Sequence, residues 1–162
     1  MTLSIRPAKP NDTELVFALI CELADYENLQ HEVDATPEEI ARALFEPEPR
    51  LFCDIAEWDG EPAGISVWFL NFSTFRGRYG AYLEDVFVRP QFRGRGIGTA
   101  LMRRIAAQCI EKGYPRFEWT VLDWNAPSIG FYESIGAKVL HEWKVCRMTG
   151  AALAQFARGD AS

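Results

Sequence analysis

Histidine is nearly absent and cysteine is unpatterned: of 162 residues, 2 are His and 4 are Cys. Cys21, Cys53, Cys109 and Cys146 form no C-x-x-C pair, which zinc sites and dithiol redox motifs need, so buried free thiols and no metal are expected. His31 and His141 lie beside no Ser or Cys motif, which argues against a nucleophilic triad. No apolar run approaches the roughly 20 residues of a membrane span, and residues 1–10 lack the basic, apolar, small-residue order of a signal peptide. The expectation is a cytoplasmic protein with no membrane partner. Positive charge is in deficit, 17 Lys+Arg against 23 Asp+Glu for a net −6. Such a surface repels nucleic acid and is better matched to a small cationic partner. Neither Gly-Lys-Ser nor Gly-Lys-Thr occurs, so the phosphate loop of nucleotide hydrolases is excluded.

What is present is a core: 48% of residues are hydrophobic and 13% aromatic, with no linker, repeat or low-complexity segment. One domain over residues 1–162 is expected. Strand-forming runs cover residues 3–6, 51–58, 63–70, 81–88, 117–122, 138–140 and 143–148. Asp59-Gly60 reads as a hairpin turn lengthened by Glu61-Pro62, and residues 71–80 read as a loop. Helices are expected after a capping box at residues 11–14, after Thr36-Pro37-Glu38-Glu39, from the glycines near 96 to Lys112-Gly113, over 127–135, and in the tail from Gly150. Strands come first as a meander, then β-α-β-α-β, which predicts a single mixed α/β sheet.

The most informative stretch is Gln91-Phe92-Arg93-Gly94-Arg95-Gly96-Ile97-Gly98, between a strand ending in Val-Arg-Pro and a helix whose face is Ile97, Leu101, Ile105 and Gln108/Cys109. Glycines at a helix start let backbone N–H groups approach an anion, and the helix dipole adds to the attraction. The dinucleotide fingerprint G-x-G-x-x-G fails here, because its last position falls on Thr99 or Leu101.

This stretch resembles the R/Q-x-x-G-x-G/A motif of the GCN5-related N-acetyltransferases, with Arg93, Gly96 and Gly98 at the motif positions. The flanks are similar as well. Tyr82-Leu83-Glu84-Asp85 precedes it, and Asn125-Ala126-Pro127-Ser128 with Gly130-Phe131-Tyr132 follows. Within the family the chain resembles the diamine branch of spermidine/spermine and thialysine acetyltransferases. The resemblance implies a mostly antiparallel mixed sheet flanked by helices, with the fourth and fifth strands splayed apart, and a homodimer. It implies acetyl-CoA as cosubstrate, bound by Val86, Phe87, Val88, Arg93, Gly94, Arg95, Gly96, Ile97, Gly98, Asn125, Pro127, Ser128 and Tyr132. Asn125 can equally cap its helix.

Transfer of an acetyl group to an amine needs a neutral nitrogen, a donor for the carbonyl oxygen and a proton for the departing thiolate. The resemblance assigns Glu84 as base acting through water, the N–H near Val86 as carbonyl donor and Tyr132 as acid. By alternation Glu84 and Asp85 point to opposite faces unless a bulge intervenes; the family supplies one nearby. Tyr26, Glu27, Glu84, Asp85, Glu118, Trp119 and Thr120 are the expected acceptor-side residues. The loop 71–80 holds no acid but has Arg76 and Arg78, which disfavours polyamines and offers to pair a carboxylate. The reading is direct transfer to a small primary amine, a thialysine or lysine-like amino acid ahead of diamines and polyamines. The alternatives are a non-catalytic acyl-CoA sensor and an acetyltransferase of protein amines.

Overall fold

The strand-forming runs build the expected sheet in a computed structural model that describes residues 1–159. Two compact units divide the chain, Met1–Thr120 and Val121–Ser162.

The first unit contains β1 (Leu3–Pro7), α1 (Thr13–Tyr26), α2 (Pro37–Phe45), β2 (Leu51–Trp58), β3 (Glu61–Ser73), β4 (Arg78–Val88), α3 (Ile97–Lys112) and β5 (Phe117–Glu118). The strands lie in the order β1-β2-β3-β4-β5. The first three pairings are antiparallel and β4 runs parallel to β5. One face of the sheet packs Ile55, Ile65, Val67 and Phe87 against Val16, Leu19 and Leu23 of α1 and Leu44 of α2. The other face sets Ala56, Ala63, Val86 and Val88 against Ile97 and Leu101 of α3. Burying each large aliphatic side chain contributes about 1.5–3 kcal/mol, which is what holds these helices to the sheet.

Local signals decide the ends. Thr36 Oγ1 accepts from Glu39 N at 3.3 Å while Glu39 Oε2 accepts from Thr36 N at 2.9 Å, the reciprocal cap that starts α2. The box expected at residues 11–14 does not form. Asp12 is taken instead by Arg6, whose Nη1 and Nη2 donate to it at 2.7 and 2.9 Å. The guanidinium holds the Asp12 carboxyl below its usual range, and α1 starts from a one-turn 3-10 segment, Pro10–Asp12. At its other end Asn28 adopts φ 60° and Leu29 N donates to Ala24 O at 2.8 Å, a Schellman closure that stops α1 just after Tyr26 and Glu27.

The β2–β3 turn is tighter than expected. Asp59 and Gly60 both have positive φ, 50° and 84°, the requirement of a two-residue turn matching strand twist. Trp58 then pairs with Glu61, and the register shift at Ala56/Glu57 accommodates Pro62. The expected loop 71–80 is mostly strand. Phe72 and Tyr79 pair edge to face at 5.0 Å, as Phe69 and Tyr82 pair at 5.0 Å in tilted contact, so cross-strand aromatics extend the hairpin to a turn at residues 74–77.

In the second unit α4 (Ala126–Ser134) and α5 (Gly150–Arg158) form as expected. The strands expected at 119–122, 138–140 and 143–148 do not. Backbone groups hold a strand only through a paired neighbour, and among the described residues these segments have none. Leu140, Trp143, Val145 and Met148 are exposed. No helix of the described residues is long and apolar enough to cross a membrane.

Candidate active site

The glycine stretch forms the connection from β4 to α3. Gly94 and Gly96 both have φ 75°, and a Cβ at either would meet nothing within 4 Å. Backbone conformation therefore selects glycine at these two positions, and the space beside them is open. Gly98, inside the first turn of α3, faces Val88 at ordinary contact distance. The first N–H groups of a helix have no intrahelical acceptor, so α3 directs donors and the positive end of its dipole into this open cradle. Both neighbouring arginines rest on aromatic rings. Arg93 Nε donates to Val88 O at 2.9 Å, with its guanidinium 4.4 Å from the Tyr26 ring centre and 5.9 Å from that of Phe87. Arg95 lies 5.1 Å from the Trp58 ring centre. The pieces present fit a diphosphate: donors, helix N-terminus and two exposed cations.

Beside the cradle β4 is irregular. Val67 pairs with Asp85 but Trp68 pairs with Leu83, leaving Glu84 as the extra residue of a bulge. The bulge reverses the alternation, so Asp85 and Phe87 share the α1 face while Val86 and Val88 face α3. Glu84 is exposed and Asp85 half-buried. Desolvation first, then the negative charges of Glu84 and Glu27, push the Asp85 carboxyl up to about 6. Burial likewise raises the Glu27 carboxyl. The end of α1 thus comes to the bulge, and Tyr26, Glu27, Glu84, Asp85 and Arg93 form one neighbourhood.

The pairing of β4 with β5 is short, Ala81 with Phe117 and Tyr82 with Glu118. Beyond it, residues 83–88 have no strand partner on that side among the described residues, so apart from Val88 O, which accepts from Arg93 Nε, the outward N–H and C=O groups there are available for an extended ligand. Glu118 is tied elsewhere, in an ion pair with Arg116 at 2.9 Å and accepting from Asn71 Nδ2 at 2.8 Å. Trp119 follows with its ring 4.9 Å from Phe117, and Thr120 ends the first unit. In the second unit Asn125 Oδ1 accepts from Ser128 N at 3.3 Å. It caps α4, and Pro127 stands in the first turn. Tyr132 is half-buried on the same helix, 5.4 Å ring to ring from Phe131.

Sequence reasoning missed the residue that sets this geometry. Arg89 Nε and Nη2 donate to Glu22 of α1 at 2.9 and 2.7 Å, and its Nη1 donates to Pro62 O at 2.9 Å. This fork fastens α1 to the end of β4. A pair separated by 67 residues leaves no spacing signal. Arg76 and Arg78 also fall differently from expectation. They sit at the far tip of the β3–β4 hairpin, and six residues of strand put Arg78 about 20 Å from Glu84, beyond the span of one amino acid. Within a single copy they do not receive the carboxylate of an acceptor held at Glu84.

The model of the acetyltransferase (GNAT) family matches residues 16–137. A thialysine N-epsilon-acetyltransferase of Sus scrofa is 35% identical, over 94% of this chain and 96% of its own length. An L-ornithine N5-acetyltransferase of Arabidopsis thaliana is 31% identical, over 92% of this chain and 85% of its own. Among solved structures, an integron cassette protein from V. cholerae superposes with TM-score 0.80 at 26% identity, covering 98% of this chain and 99% of that one.

Proposed function

Because the chain belongs to the GNAT family of acetyltransferases, we propose that residues 1–162 act as one catalytic domain that acetylates the primary amine of a small amino acid. A lysine-like or ornithine-like acceptor is preferred to a polyamine. Acetyl-CoA supplies the thioester. The cradle of Gly94 to Gly98 holds its diphosphate with Arg93 and Arg95, the free edge of β4 at Val86, Phe87 and Val88 aligns its amide arm, and Asn125, Pro127 and Ser128 complete the binding set.

The observation that carries this reading is the bulge at Glu84, which brings three carboxylates to one place beside that free edge. An ammonium of pKa near 10 is drawn to this cluster and gives up its proton to Glu84 through water, while Asp85 and Glu27 hold it in position. The freed nitrogen attacks the thioester carbonyl, Val86 N–H donates to the oxygen, and the C–S bond breaks as the amide forms. Tyr132 gives its proton to the leaving thiolate, and the proton that the attacking nitrogen sheds as the amide forms passes through solvent to restore the phenol. Named relatives that act on thialysine and ornithine support an amino-acid acceptor. The acid-free hairpin tip gives a polycation no distant partner.

We also place a cytoplasmic homodimer within this proposal. Exposed Phe72, Phe75 and Tyr79 at the hairpin tip are the surface it covers, and Phe75→Ser would then shift the sedimentation equilibrium towards monomer.

The test is thiol release from acetyl-CoA with thialysine, lysine, ornithine, diamines, spermidine and a basic peptide, run beside Tyr132→Phe. Turnover highest on one amino acid, falling about 10²-fold or more in the variant, is expected. Acetyl-CoA binding with no amine accelerating release would favour the sensor reading, and turnover confined to the peptide would favour protein acetylation.

A further inference from the structure

Asp54 is a buried carboxylate that acetyl transfer does not use. It stands on β2, 3% exposed, and each of its oxygens has one partner. Arg104 Nε donates to Oδ1 at 2.7 Å and Trp68 Nε1 to Oδ2 at 3.3 Å. A bidentate arginine would turn two nitrogens of one edge to the acid. Here only Nε is engaged, the Arg104 side chain is 35% exposed, and its two Nη groups have no hydrogen-bond partner among the described residues.

Arg104 lines an open chamber of about 520 Å³ between α2, the start of β2 and the second half of α3, within the size range of small-ligand sites. Leu44, Phe45, Leu51 and Phe52 supply an apolar wall, and Phe52 stacks on Trp68 at 4.6 Å. Gln108 offers a side-chain amide, and Glu111 and Lys112 at the rim cancel in charge. Asp54 lines the same chamber and its charge offsets that of Arg104, so what Arg104 offers a ligand there is its two Nη groups, unpartnered among the described residues. Arg104 is seven residues, about 10 Å, down α3 from its first residue, so the chamber is separate from the glycine cradle.

We propose that this chamber binds a small carboxylate with an aromatic or branched apolar body, its two oxygens on the Arg104 fork and its body against Phe45 and Phe52. The site is an accessory one, independent of the acetyl-transfer reading.

Phenylacetate is the probe, titrated calorimetrically into the full chain both without CoA and with saturating CoA present. Saturable one-site binding with Kd on the order of 0.1–1 mM is expected. Phenylacetamide, matched in shape but uncharged, should bind about tenfold more weakly. Arg104→Lys keeps a cation for Asp54 and removes the fork, and should weaken phenylacetate about tenfold or more. Ala107→Phe fills the chamber from the exposed side of α3, and should abolish binding while leaving acetyl transfer intact. This second variant leaves the buried pair untouched, so it tests the site even where Arg104→Lys does not fold. Absence of saturable binding up to about 10 mM, displacement by CoA, equal affinity for the amide, or unchanged binding in Ala107→Phe would each overturn the proposal.

Discussion

Asp85 carries two consequences of one burial. With its folded pKa raised to about 6 from 3.8, the folded state binds the proton more tightly than the unfolded chain does. Stability from this group is therefore present below pH 3.8 and lost as pH rises through 6. At neutral pH the ionised side chain is a strain on the fold. Asp85→Asn should raise stability by on the order of 1–3 kcal/mol at pH 7.5 and by much less at pH 4, read from urea denaturation at the two values. Function runs the other way, because an ammonium is held by the charged form. On the proposed mechanism the acid limb of kcat/KM falls near pH 6, and Asp85→Asn removes that limb with a lower plateau. A limb that persists in Asp85→Asn and disappears in Glu84→Gln would move the assignment to Glu84.

At the scale of an element, the site depends on where helices begin and end. Asn28 in the left-handed region closes α1 just past Tyr26 and Glu27. Asn28→Ala should cost about 1 kcal/mol, since a Cβ is penalised there without the compensating polar side chain, and Asn28→Gly should cost little. Thermal melts of the two variants distinguish these outcomes. Gly96→Ala tests the cradle. Its strained φ displaces the first turn of α3, and the expected result is a weakening of CoA binding larger than the loss of stability. Much of this was legible because it is local: the Thr36–Glu39 cap, the Asp59-Gly60 turn, the periodic face of α3 and its Gly113 stop are written within a few residues of each other. The box expected at residues 11–14 is absent because α1 starts one residue later, from Asp12, and Arg6 holds the Asp12 carboxylate from an adjoining strand. The hairpin was underestimated because Phe72 and Tyr79 support each other across strands, which no single-strand pattern displays.

For the whole molecule the net charge of −6 adds a long-range attraction for a cationic acceptor to the local one. KM for the amine should therefore rise with ionic strength between about 0.01 and 0.15 M, while kcat changes little, as screening shortens the field from roughly 30 to 8 Å. At this scale the sequence was less informative. The Arg89–Glu22 fork, the parity change at Glu84 and the tying of Glu118 by Asn71 all join residues distant in the chain. The motif located the glycine cradle. It said nothing of which carboxylates would crowd together beside it. The open stretch of β4 beyond Tyr82 has a further implication, for solubility. A strand margin with unanswered hydrogen-bonding groups is a template on which other chains aggregate. A cosubstrate arm lying along that margin would also serve as its stopper. Light scattering of concentrated protein on warming should then set in later with acetyl-CoA than without it, by more than the same ligand delays scattering in a variant whose margin is blocked by Val86→Pro.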